Sequence, residues 1–213
     1  MNSSLNMTRR LAQLLVGLFL YGMGIALMVR AGVGVAPWDV LTLGIEKQTG
    51  LGFGLITFIV SLFVMLLWIP IRQKPGIGTV LNVLLVGPFA QVGLWIIPPI
   101  DGLLWKILVF ASGLLILAIA TGLYIGARFG PGPRDGLMTG IHARWGWRIW
   151  IVRTSIEVVV LSIGWVLGGD VGFGTLAFAL LIGPLVNITI PRLRVPLATV
   201  PRDPEPVVVP LQI

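Results

Sequence analysis

Cysteine is absent from this chain of 213 residues, which excludes disulfides, thiolate metal sites and cysteine nucleophiles. The single histidine, His142, cannot form a histidine cluster for zinc. The sequence also lacks a Gly-x-x-x-x-Gly-Lys-Ser/Thr loop, a Gly-x-Ser-x-Gly elbow and a His-Glu-x-x-His motif. These absences argue against ATP-driven pumping by this chain alone and against the hydrolase chemistries that such motifs carry. We therefore predict a protein that is not an enzyme and that uses no cofactor and no metal.

Charged residues are also scarce. They make up 11% of the chain, whereas about 25% is usual for a soluble domain. Hydrophobic residues make up 56%, and the mean hydropathy is +0.99. The formal charge of +7 is carried by short segments between apolar runs, which is typical of membrane topology and not of a nucleic-acid-binding face. The sequence predicts an integral membrane protein whose partner is the lipid bilayer, without nucleic acid.

Six apolar stretches are long enough to cross a hydrocarbon core of about 30 Å as helices. We therefore expect an all-α transmembrane helix bundle. The predicted spans cover residues 11–29, 52–71, 77–97, 105–127, 149–169 and 173–190. Tryptophans near the ends of these spans suggest an aromatic belt at the membrane surfaces. They are Trp68, Trp95, Trp105, Trp145, Trp147 and Trp150.

The positions of Lys and Arg predict the orientation of the chain. With the N-terminus inside, the inner segments hold eleven Lys and Arg and the outer segments hold three. Both termini should therefore be cytoplasmic, in a bacterial cytoplasmic membrane. Residues 1–10 would form the cytoplasmic N-terminus, and residues 193–213 a Pro-rich tail that is extended or disordered. Segments 31–51 and 128–148 are long for loops, so a further crossing in each stays open.

The chain contains an internal repeat. Residues 17–91 align without gaps on residues 113–187, and about a quarter of the positions are identical. The shared positions include a Gly-x-x-Pro-x-Asp motif, a later Gly-x-Gly-Thr and a Gly-Pro pair. The first transmembrane repeat would cover 11–98 and the second 105–192. Because each repeat holds three spans, the second copy should be inverted in the membrane, as in many secondary transporters.

The Gly-x-x-Pro-x-Asp motifs predict broken or re-entrant short helices. Glycine breaks the preceding span, proline suits the first helical position, and aspartate complements the positive helix end. A helix of about ten residues would follow, which is too short to span. We expect the two segments to enter from opposite faces and to point at a shared centre.

Two interpretations of these aspartates stay open. Each could cap a short loop helix at the surface, or line a polar permeation site, because carboxylates within a membrane are costly and usually functional. An Asp pair favours cations or protons, whereas Arg and helix N-termini favour anions. The candidate substrate-binding residues are Gly34, Pro37, Asp39, Gly130, Pro133, Asp135, Arg30 and Arg134.

Arg153 and Glu157 form a second candidate, because residues four apart share one face of a helix. They could be a structural salt bridge or a gate. Their counterparts in the first repeat, Thr57 and Ser61, are also polar, which indicates that both faces point inward. We expect Asn82 to form interhelical hydrogen bonds.

The repeated Gly-x-x-Pro-x-Asp-x-Leu, the Gly-x-Gly-Thr and the later Gly-Pro resemble the YczE-like bacterial membrane proteins, which are related to the YitT group. The resemblance covers residues 11–192 and implies a protein of the bacterial cytoplasmic membrane. It supplies no catalytic residues to transfer. The second repeat has Arg134 where the first has Trp38, so we do not expect the two halves to be functionally equivalent.

The sequence thus favours a transporter or permease of a small polar solute. The alternative is a non-transporting membrane regulator or assembly factor for a partner complex. An intramembrane enzyme acting on lipid, with Asp39 and Asp135 as a dyad, is a weaker third option. A homo-oligomer is compatible with the sequence.

Overall fold

The computed structural model describes residues 3–196 and consists there of helices, without strands. The helices are α1 (Ser3–Ala31), α2 (Pro37–Thr49), α3 (Phe53–Leu66), α4 (Trp68–Ile71), α5 (Ile77–Ile96), α6 (Leu103–Gly126), α7 (Pro133–Trp145), α8 (Ile149–Val166) and α9 (Phe173–Leu193). The predicted Pro-rich tail lies outside the described residues from residue 197 onward.

The six predicted spans are confirmed as helices long and apolar enough to cross a membrane. They are Met7–Ala31, Phe53–Ile71, Ile77–Ile96, Leu103–Gly126, Ile149–Val166 and Phe173–Leu193. Their outer surfaces carry many exposed large apolar side chains, as expected for a helix bundle that is surrounded by lipid. Segments 31–51 and 128–148 contain α2 and α7, which are too short to add a further crossing.

The centre of the bundle is the contact between α1 and α6. A Cβ built on Gly17 would lie 2.8 Å from the backbone nitrogen of Tyr124, and one on Gly24 would lie 3.0 Å from the carbonyl oxygen of Gly113. Glycine at these positions therefore lets the two backbones approach closely, which is how helices associate where water does not drive them together.

The two repeats use matching packing partners. Helix α1 packs on α5 in the first repeat, and α6 packs on α9 in the second. Across the repeats, α2 packs on α8, and α7 packs on α3 and α4. Each half-helix therefore lies mainly against the other repeat, so the two halves are interlocked.

The Gly-x-Gly-Thr motifs join the repeats by docking on unwound backbone. Gly78 donates a backbone hydrogen bond to the Phe129 carbonyl (2.9 Å), and Gly174 donates one to the Val33 carbonyl (2.7 Å). The hydroxyl of Thr79 donates to the Pro131 carbonyl at 2.7 Å. These bonds satisfy backbone groups that would otherwise be exposed inside the bundle.

The hydroxyl of Thr175 makes the matching contact in the other half. It accepts a hydrogen bond from the backbone N–H of Val35 at 3.2 Å. In one half the threonine donates and in the other it accepts, because the second repeat has Pro131, which has no N–H, where the first has Val35.

Helices α2 and α7 are the predicted short helices. Each has 13 residues, a length of about 20 Å, which falls short of the hydrocarbon core. Pro37 and Pro133 occupy the first helical positions, as predicted. Gly50 and Gly146 end the helices in the left-handed conformation, with φ of 71° and 72°.

Candidate functional site

The N-terminal ends of α2 and α7 meet in the interior of the bundle. Arg134, the second residue of α7, places its Nη1 3.6 Å from Oδ1 of Asp39 in the first turn of α2. The same guanidinium lies over the ring of Trp38, 5.0 Å from its centre. The prediction that the two segments point at a shared centre is confirmed by these contacts.

Burial distinguishes between the two interpretations of the aspartates. Asp39 is only 1% exposed, so it is not a cap at the surface. An ionised carboxylate in the protein interior requires a nearby cation to offset the cost of leaving water. Arg134 supplies that cation.

A cavity of about 70 Å³ surrounds this pair, large enough for several water molecules. Residues from both repeats line it. They are Tyr21, Ala36, Trp38, Asp39, Thr57, Ser61, Asn82, Val86, Leu117, Tyr124, Gly132, Pro133, Arg134, Asp135, Met138, Arg153, Glu157 and Phe178. Five of these side chains carry a formal charge, which is a high density for the interior of a bundle of apolar helices.

Asp135 lies in this cavity with a hydrogen-bond partner from α6. The hydroxyl of Tyr124 donates to its Oδ2. The ring of Tyr124 in turn packs edge-on against Tyr21 of α1, with ring centres 5.8 Å apart. The carboxylate is therefore positioned by the central pair of helices.

Arg153 and Glu157 of α8 form the predicted pair, with Nε 2.9 Å from Oε1. Both side chains line the cavity, and so do their counterparts Thr57 and Ser61 on α3. The prediction that these polar faces point inward is confirmed.

Three buried polar atoms at the cavity have no hydrogen-bond partner among the described residues. They are Nε1 of Trp38, Oδ1 of Asp39 and Oγ1 of Thr57. Their residues are 7%, 1% and 2% exposed, respectively. Because buried polar groups are nearly always paired, these atoms are candidates for binding water or a polar ligand.

Some predicted site residues lie elsewhere. Arg30 does not line the cavity, since its guanidinium donates to the carbonyl of Leu94 at the end of α5. Gly34 and Gly130 contact the Gly-x-Gly-Thr motifs of the opposite repeat and do not face the cavity. Pro37 begins α2 without lining the cavity, whereas Pro133 lines it. Of these residues, only Pro133 faces the cavity. The two glycines position the segments that carry the site.

Sequence reasoning missed the two tyrosines. Tyr21 and Tyr124 are the only tyrosines in the chain, and both line the cavity. Their rarity within apolar spans was the available signal, because a buried tyrosine needs a partner for its hydroxyl. Asn82, which was expected to join helices, also lines the cavity.

Within residues 3–196, no three His, Cys, Asp or Glu side chains come close enough to hold a metal ion. The charged side chains at the cavity are arranged in pairs, with Arg134 beside Asp39 and Arg153 beside Glu157.

Six apolar helices around a charged interior define a multi-pass membrane protein. The chain belongs to the YczE-like membrane protein family: residues 8–191 match the family described as a family of unknown function, DUF6198. The resemblance found from the motifs is thereby confirmed.

Three relatives match over most of their length. An uncharacterized protein of Haemophilus influenzae is 40% identical over 82% of this chain and 80% of its own. The uncharacterized membrane protein YczE of Bacillus subtilis is 32% identical over 83% of each chain. The uncharacterized protein YyaS of Bacillus subtilis is 26% identical over 83% of this chain and 90% of its own. No solved structure matches the chain.

Proposed function

We propose that this protein is a transporter or permease of a small polar solute in the bacterial cytoplasmic membrane. It is not an enzyme, and both termini are cytoplasmic. The observation that carries this proposal is the cavity, in which charged side chains from both repeats surround unpartnered polar atoms. Polar and charged groups inside a membrane bundle are costly and usually serve a solute pathway.

The contacts of α8 support an inverted relation between the repeats. At the far end of α2, Lys47 pairs with Asp170 (2.7 Å), just beyond the C-terminal end of α8. Helix α7 instead ends at Trp145, shortly before the N-terminal end of α8. The two short helices thus extend from the cavity toward opposite ends of the same span, the arrangement of transporters with a site at the repeat interface.

The absence of native cysteine makes a direct test available. Ser61→Cys places one thiol at the cavity. Ser162→Cys places one on the exposed face of α8. It is a matched control, because both variants replace a serine in a membrane helix. Both variants are reconstituted into liposomes. Uptake of labelled urea, formate, glycine, methylammonium and rubidium is measured before and after treatment with a small, water-soluble methanethiosulfonate.

We expect at least one solute to enter faster than in protein-free liposomes. Treatment should block that uptake in the Ser61→Cys protein, because the thiol lies on the pathway, and leave it unchanged in the Ser162→Cys protein. An unreactive thiol at position 61 together with uptake no faster than in empty liposomes would reject the proposal and favour the regulator or assembly factor.

A further inference from the structure

We propose that the solute is a small monovalent cation and that Asp135 is the residue that binds it. This inference rests on the proposed function and specifies its substrate class. It is drawn from the balance of charge in the cavity, from the polar surroundings of Asp135 and from the size of the cavity.

The charges at the cavity leave one carboxylate without a cation. Three acidic side chains line it, and two basic ones. Arg134 is paired with Asp39, and Arg153 is paired with Glu157. Asp135 has the neutral hydroxyl of Tyr124 as its side-chain partner.

The positive ends of α2 and α7 also meet at the cavity, and each adds a partial charge of about +0.5 that stabilises a nearby carboxylate. Both arginines are already engaged by carboxylates, so an anion would have to compete with one of them. Asp135 therefore remains the formally charged side chain at the cavity that no side chain of opposite charge pairs with among the described residues.

Gly132 packs against the polar groups around Asp135. A Cβ built on Gly132 would lie 3.2 Å from Nδ2 of Asn82, 3.2 Å from Oη of Tyr124 and 3.3 Å from Oδ2 of Asp135. A methyl group at this position would therefore crowd the hydroxyl and the carboxylate. The backbone does not require glycine here, since φ is −64°.

The repeat shows that these polar surroundings are specific to the second half. The counterparts of Gly132, Tyr124 and Asn82 in the other repeat are Ala36, Met28 and Phe178. The corresponding place beside Asp39 is therefore apolar and carries a methyl group. Packing alone explains the apolar half, whereas the polar half brings the hydroxyl oxygen of Tyr124 beside the carboxylate of Asp135.

The unpartnered atoms provide further contacts for an ion. Oγ1 of Thr57 is a buried acceptor, and oxygen atoms are what small monovalent cations bind. The indole N–H of Trp38 can donate to a water molecule of the ion's hydration shell. A volume of about 70 Å³ admits an ion with a few waters.

The test measures binding to the purified full-length protein in detergent, without transport. Chloride salts of lithium, sodium, potassium, ammonium and methylammonium are titrated at constant pH and ionic strength, with N-methylglucamine chloride as the balancing salt because that cation is much larger than those tested. A bound ion stabilises the native state, so the melting temperature should rise with saturation for at least one cation, by about 5 °C at about 100 times Kd.

Two variants and two controls locate the site. Asp135→Asn and Gly132→Ala should each weaken the apparent affinity by about tenfold or more. Asp170→Asn removes a carboxylate that is more than half exposed, and Gly183→Ala adds a methyl group where nothing lies within 4 Å. Both controls should bind like the unmodified protein.

The outcomes separate this inference from the function. A melting temperature that no cation raises, or that Asp135→Asn does not affect, overturns the inference. If formate, urea or glycine crosses the membrane in that case, the transporter stands with another substrate. If a cation binds at Asp135 and no solute crosses, the cation site stands and transport is rejected.

Discussion

Asp39 and Arg134 form an ion pair that joins the two short helices, and its energy depends on burial. Asp39 is 1% exposed, and the Arg134 side chain is 17% exposed. Two charges brought out of water gain little net stability from pairing, but removal of one leaves the other uncompensated. The pair is therefore better understood as a device that fixes how the helix ends meet.

This account predicts the effect of removing the cation. Arg134→Gln should lower the free energy of unfolding by about 3 kcal/mol, because Asp39 stays buried without a positive partner. The measurement is denaturant or thermal unfolding of the purified protein in detergent.

The double variant provides the control. Asp39→Asn combined with Arg134→Gln removes both charges and should recover most of the lost stability. If the losses of the two single variants simply add in the double variant, the two side chains are not coupled and the pair does not join the helices.

For individual residues, the sequence indicated which charged side chains lie at the site better than it indicated which residues pack against each other. The repeat predicted that Asp39 and Asp135 lie at a shared centre, and the Arg153–Glu157 pair was a second candidate; all four side chains line one cavity. The prediction that Trp68 belongs to the aromatic belt was wrong, because Trp68 is 2% exposed and donates to the Pro133 carbonyl at 3.0 Å. Proximity to a span end indicates depth in the membrane, and it does not determine whether a side chain faces lipid or another helix.

The short helices α2 and α7 show how much of an element local chemistry determines. Proline at the start, aspartate in the first turn and glycine at the end predicted both helices, and these signals depend on neighbours in sequence. The docking of each Gly-x-Gly-Thr motif on the opposite repeat could not be predicted, because it depends on residues about 50 or 140 positions away. The motif was visible only as a repeated pattern.

Docking predicts a contrast between two glycines of the same unwound segment. Gly34 has φ of 106°, and its Cβ would lie 2.7 Å from the backbone nitrogen of Gly172. Gly32 has φ of 62° with nothing within 4 Å. Gly34→Ala should therefore cost about 3 kcal/mol from strain and overlap, and Gly32→Ala about 1 kcal/mol from strain alone.

Melting temperatures of the two purified variants test this contrast. The melting temperature should be highest for the unmodified protein, lower for Gly32→Ala and lowest for Gly34→Ala. Equal stability of the two variants would contradict the docking of the repeats, because the close backbone approach at Gly34 should add to the strain.

For the whole molecule, six spans followed from the number and length of apolar stretches, since a bilayer imposes a length on every crossing helix. The way the spans enclose a cavity did not follow, because lipid-facing and buried apolar residues have the same composition. The two-fold repeat supplied the missing constraint. It predicted that the short helices converge, and the contact between Asp39 and Arg134 agrees.

The central claim is that the two short helices enter the membrane from opposite sides and meet at the cavity. Gln48 and Arg144 are matching positions near their far ends, and both are exposed. The decisive measurement is labelling of Gln48→Cys and Arg144→Cys, each as the only cysteine, with a membrane-impermeant maleimide on intact cells. We predict that Gln48→Cys is labelled directly and that Arg144→Cys is labelled only after the membrane is permeabilised. Labelling of both positions from the same side would contradict the account.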